Sequence, residues 1–74
     1  MKTIDIKASG ENIKSLVKQH NLRLADLQVA LGFNTPQAIY KWYRGESMPT
    51  IDNLIILTEL FNCSIDDIIV IKEV

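Results

Sequence analysis

Residues 24–45 read LADLQVALGFNTPQAIYKWYRG. Leu24, Leu27 and Leu31 share one face of a helix about two turns long, so the spacing predicts a short helix over 24–31. Gly32 follows the last apolar position, where a helix ends most easily on a residue with no Cβ. A second helix opens after a brief turn. Thr35 offers an N-cap oxygen, and Pro36 suits the first helical position, where its missing N–H costs nothing. This second helix runs over about 36–44 and stops at Gly45. Ile39 and Trp42, three apart, form its inward face, with Tyr43 partly inward. Gln37, Ala38, Tyr40, Lys41 and Arg44 are left facing out. A short helix, an abrupt glycine turn and a second helix at a steep angle make a helix-turn-helix unit over about 24–44.

The flanks extend the helical pattern. Upstream, MKTIDIKA alternates over a short reach like a strand. Ser9 is positioned to cap a helix over about 10–20, with Ile13, Leu16, Val17 and His20 as its stripe and Asn21 as its stop. Downstream, Thr50 caps a fourth helix carrying Leu54, Leu57, Leu60 and Phe61, and Asn62 ends it. Ser64 and Asp67 form a capping box for a fifth, with Ile65, Ile68 and Ile69. The tail IIVIKEV is β-branched, and can pair either with the N-terminal TIDIK segment or with a second copy of itself. The expectation is an all-α, five-helix domain with short β segments at the two termini. It spans residues 1–74 as one domain, with a core over 10–70.

Composition narrows the function. At 74 residues, only one core is affordable. Hydrophobic residues at 47% argue against disorder. One Cys and one His cannot build a structural zinc site or an internal disulfide, so no metal is expected. Cys63 has nothing nearby to activate it, and His20 reads as a core-edge histidine. No apolar run approaches the ~20 residues of a membrane span, and no signal peptide is evident. There is no Ser/His/Asp set and no glycine-rich phosphate loop, so the chain reads as a non-enzyme with no cofactor or small-molecule ligand. The net charge of −1 excludes a uniformly basic nucleic-acid binder. That average hides a polarity: residues 1–45 carry seven cations against three carboxylates, a net +4, whereas residues 46–74 carry one against six, a net −5.

The outward set of the second helix matches what duplex DNA offers. Gln bonds adenine bidentately, Lys reaches guanine, and Ala touches a thymine methyl. Gln37, Ala38, Lys41 and Tyr40 are therefore the candidate base contacts. Thr35, Arg44 and Ser47, with Lys14 and Lys18 on one side of the first helix, are the candidate phosphate contacts; Arg44 can alternatively pair with Glu46. Amides at the start of the second helix of the unit add to the attraction for phosphate.

With ENIKSLVKQHNLRLADLQVALG at 11–32, AIYKWYRGESMPTIDNLIILTELFN at 38–62 and CSIDDII at 63–69, the chain resembles the Cro and phage-repressor-like (XRE) helix-turn-helix family. The W-x-x-G-x-x-x-P segment from Trp42 to Pro49 is the most specific part. Against the family pattern, the stretch from Gly32 to Trp42 is one residue longer. Leu24 stands where many members have a phosphate-contacting Gln, with Arg23 beside it as a substitute. Gln28 stands where Ala is usual and is expected to bond across the turn. The resemblance implies a small prokaryotic or phage transcriptional regulator, a repressor. It would be cytoplasmic and would act as a homodimer on double-stranded DNA; independently of the resemblance, the apolar region of the fourth and fifth helices and the IIVIKEV tail are the expected dimer surface. The alternative is the same fold used as a protein-interaction module, such as an antitoxin or anti-repressor.

Overall fold

A computed structural model describes all residues from Met1 to Val74. The elements run β1 Lys2–Ile4, α1 Ile6–Gln19, α2 Leu24–Leu31, α3 Gln37–Tyr43, α4 Ile51–Phe61, α5 Ile65–Ile68 and β2 Ile71–Glu73. β1 and β2 pair antiparallel, with Lys2 opposite Glu73 and Ile4 opposite Ile71. The tail thus pairs with the N-terminal segment of its own chain.

Every helix contributes to one core. Ile13 and Val17 of α1, Leu27 and Leu31 of α2, Ile39 and Trp42 of α3, Leu54, Leu57 and Phe61 of α4, and Ile68 of α5 form a continuous buried cluster. Leu16 and Leu60, expected inside, are only partly buried against it. His20 is exposed at its edge, its ring 5.5 Å from that of Phe61 and its Nδ1 2.9 Å from the Leu16 carbonyl.

Four helix ends close in the same way. Asn21 (φ 54°), Gly32 (73°), Gly45 (75°) and Asn62 (51°) are left-handed. Each is followed by an amide that reaches back into the last turn: Leu22 to Val17, Phe33 to Gln28, Glu46 to Lys41 and Cys63 to Thr58. These bonds satisfy carbonyls that a helix end would otherwise strand. At the opposite ends, Thr50 Oγ1 accepts from the Asn53 amide at 3.3 Å, and Ser64 and Asp67 form the expected capping box.

Three local expectations are corrected. α1 begins at Ile6, not near residue 10, because Asp5 caps it by accepting from the Ala8 amide at 2.9 Å. Ser9, read as the cap, is wholly buried inside α1; its hydroxyl accepts from the Val70 amide at 2.8 Å and donates to the Val70 carbonyl at 3.3 Å. α3 begins at Gln37, with Pro36 as the cap residue and no side chain capping it, so Thr35 is not its cap. The Pro36 carbonyl already accepts from the Tyr40 amide at 3.0 Å, which moves the start one residue on. Gln28 makes no side-chain hydrogen bond; only its carbonyl bridges the turn, to Phe33.

α3, the second helix of the unit, is held from behind by α1. Gly10 is buried where α1 crosses α3, directly against the Trp42 carbonyl. Asn12 Nδ2 of α1 donates to the Asp67 and Ile68 carbonyls at 2.8 and 2.9 Å, tying α5 to the same scaffold. The outer face of α3 is therefore carried on a rigid support.

Candidate nucleic-acid interface

The 3.6-residue period of α3 separates two sets of side chains. Ile39 is fully buried and Trp42 only 3% exposed, with the Trp42 ring edge-on to Phe33 at 5.9 Å. Gln37, Tyr40, Lys41 and Arg44 are exposed, and Ala38 is half-buried against the core. Trp42 is therefore a packing residue and leaves the polar groups around it to face out.

Those polar groups border a concave surface. A groove of about 640 Å³ runs between the turn at Gly32–Thr35, the outer face of α3 and the loop leading into α4. Gln37, Ala38, Lys41, Thr35 and Ser47 all line it. Five of the ten candidate residues thus meet on one surface. Asn34, Met48, Thr50 and Asn53 line the same groove and were not among the candidates. The segment from Trp42 to Pro49 was the signal that could have drawn attention to Met48; nothing local in the sequence marks Asn34 or Asn53.

The other five candidates sit outside the groove. Tyr40 is 42% exposed, one turn before Arg44 on the flank of α3. Lys14 of α1 reaches α3 from the other side, its Nζ 5.8 Å from the centre of the Tyr43 ring, a cation–π contact. Burial, and secondarily the charge of Tyr40, push the Tyr43 phenol up, which keeps it neutral. Lys18 is exposed one turn beyond Lys14.

Neither arginine is free. Arg23 precedes α2, and its NH2 lies 3.2 Å from Asp26 Oδ1, while Asp26 also accepts from the Arg23 amide at 2.7 Å. The Asp26 carboxyl is held low first by that amide and then by the guanidinium. Arg44 Nε pairs with the Glu46 carboxylate, the alternative weighed against phosphate in the sequence. None of the lysines takes part in an ion pair. No three His, Cys, Asp or Glu side chains are grouped so as to hold a metal ion, and no helix is long and apolar enough to cross a membrane.

A short helix, a left-handed glycine turn and a second helix buried on one side and polar on the other define a helix-turn-helix domain. The family model described as helix-turn-helix matches residues 13–68, and the chain belongs to this XRE-type family of DNA-binding transcription regulators, which is not a family of enzymes. Searches of curated proteins and of solved structures gave no match.

Proposed function

We propose that the domain is a small transcriptional regulator, a repressor, that binds a specific duplex DNA site as a homodimer in a prokaryotic or phage-infected cytoplasm. α3 lies in the major groove of the DNA. Gln37, Lys41, Ala38 and Tyr40 meet base edges, and Thr35, Ser47, Arg44, Arg23, Lys14 and Lys18 meet phosphates. The observation that carries this reading is the convergence of Gln37, Ala38, Lys41, Thr35 and Ser47 on one open groove beside α3. The charge polarity along the chain agrees with it: residues 1–45, which hold the helix-turn-helix, are net +4 and residues 46–74 net −5, which orients the domain and restrains non-specific adhesion.

A single small domain covers little DNA, so useful affinity calls for two copies on a palindromic site. Exposed Ile51 and Ile55, one turn apart on α4, and Ile71 and Val74 in the tail give the acidic half apolar surface for that contact. The same surface would serve a different protein equally well, which is the observation that favours the interaction-module reading as the second choice.

The test pairs substitution with salt. Gln37→Ala and Lys41→Ala are expected to abolish binding to DNA upstream of the protein's own gene and to leave the fold intact, each bidentate contact being worth ~1–3 kcal/mol. If each protomer neutralises about four phosphates, log K against log salt falls with a slope near −7 for the dimer. A slope near zero rejects the mechanism.

A further inference from the structure

Glu46 is the only carboxylate between Asp26 and Asp52, a span that includes the turn, α3 and the loop into α4. The left-handed turn at Gly45 folds the chain back, and the Glu46 amide donates to the Lys41 carbonyl at 2.9 Å. That places the Glu46 side chain among the cations of the outer face. It pairs with Arg44 Nε, and the two side chains remain 54% and 52% exposed. The Arg44 hydrogen bond, and then the charges of Arg44 and Lys41, hold the Glu46 carboxyl below the usual carboxylate range, so it is ionised wherever the domain is folded and near neutral pH.

Resting on the DNA-binding reading above, we propose that Glu46 is a built-in stand-in for a DNA phosphate, occupying the Arg44 guanidinium in the free protein and yielding it only to a well-placed phosphate. Carboxylate and phosphate oxygens both accept from guanidinium N–H groups, so a phosphate can take the Nε donor that Glu46 holds. An exposed pair is weak, and a phosphate held in register by correct base contacts displaces it. On non-matching DNA the phosphates are not held in register. Glu46 then keeps Arg44, and its own charge repels the backbone. Glu46 in this way holds down both modes of binding: non-matching DNA goes without the Arg44 contact, and the matching site must first break the pair.

The experiment measures binding of the full chain to two duplexes of equal length across a salt series, by fluorescence anisotropy. One duplex carries the site selected by the protein from random DNA, and the other a scrambled sequence. Glu46→Gln is expected to bind the scrambled duplex about 3- to 10-fold more tightly, with a salt slope steeper by about one per protomer. Its affinity for the selected duplex should rise by at least as much, because the parent must break the Arg44 pair to bind there, and its melting temperature should stay within a few degrees of the parent's. In an Arg44→Gln background the gain from Glu46→Gln should fall below twofold. Unchanged or weaker binding of folded Glu46→Gln to the scrambled duplex overturns the proposal. A parent protein that binds neither duplex instead overturns the DNA-binding reading beneath it.

Discussion

Alanine at Gly10 separates two opposing effects on one residue. In an isolated helix, glycine to alanine is stabilising by ~1 kcal/mol. In this fold a Cβ at position 10 would stand 1.8 Å from the Trp42 oxygen and 2.8 Å from its carbonyl carbon. Restoring an ordinary 3.4 Å contact from 1.8 Å requires α1 and α3 to part by about 1.6 Å. The obstacle is backbone, so no rotamer change relieves it. The separation would also loosen Ile13 against Ile39 and Trp42, all in the same buried cluster. Overpacking costs ~1–3 kcal/mol, and a backbone obstacle puts this site at or beyond the upper end. Setting ~3 kcal/mol against the ~1 gained leaves a net loss of about 2 kcal/mol. For a domain of this size that is a fall in melting temperature of about 8–16 °C. The assay is a thermal melt followed by far-ultraviolet circular dichroism, with Trp42 fluorescence reporting the α1–α3 contact. Ser15→Ala on the exposed face of α1 is the control and should change the melt by no more than a few degrees. A Gly10→Ala protein that melts at or above the parent's temperature refutes the close approach of the two helices.

Three further outcomes follow from named contacts. Ser9→Ala removes the only partner of the Val70 amide in a part-buried setting, and should destabilise the domain by ~1–3 kcal/mol in a urea titration; a neutral result would mean that the tail is not held there. The Asp67 carboxyl is held low by the Ser64 amide and hydroxyl, so its contribution is complete above the ordinary carboxylate pKa near ~4 and drains as pH falls through its lower folded value. The stability gap between parent and Asp67→Asn should therefore close on acidification, and a gap constant from neutral pH to pH ~2 would contradict the capping role. Burial, then the charge of Asp67, push the Cys63 thiol up, so alkylation at neutral pH should be slower than for a free cysteine, and reaction at the free rate would count against that placement.

Where a helix end depends only on neighbouring residues, the sequence was enough. Leu24–Leu31, its stop at Gly32, the Thr50 cap, the Asn62 stop and the Ser64–Asp67 box all lie where spacing and cap chemistry put them. The start of α1 was not legible, because Asp5 and Ser9 are both good caps four residues apart. What decides between them is Val70, 61 positions away, which engages the Ser9 hydroxyl. Gly10 likewise looks like an ordinary early helical residue until α3 is placed against it.

The candidate interface divides along the same line. Gln37 and Lys41 were readable as outward groups because Ile39 and Trp42 fix which side of α3 is buried. Met48 and Asn53 join them only after the loop and the start of α4 close the far wall of the groove. The Arg44–Glu46 pair was readable as an alternative, since only the left-handed turn at Gly45 brings the two side chains together.

Selection of duplexes from a random library by the purified full chain tests the central claim most directly. One enriched motif with two-fold symmetry is expected, its half-sites about one helical turn apart and lost when Gln37 or Lys41 is replaced by alanine. A library that emerges without any enriched motif at low salt would contradict it, and would leave the helix-turn-helix as a surface for a protein partner.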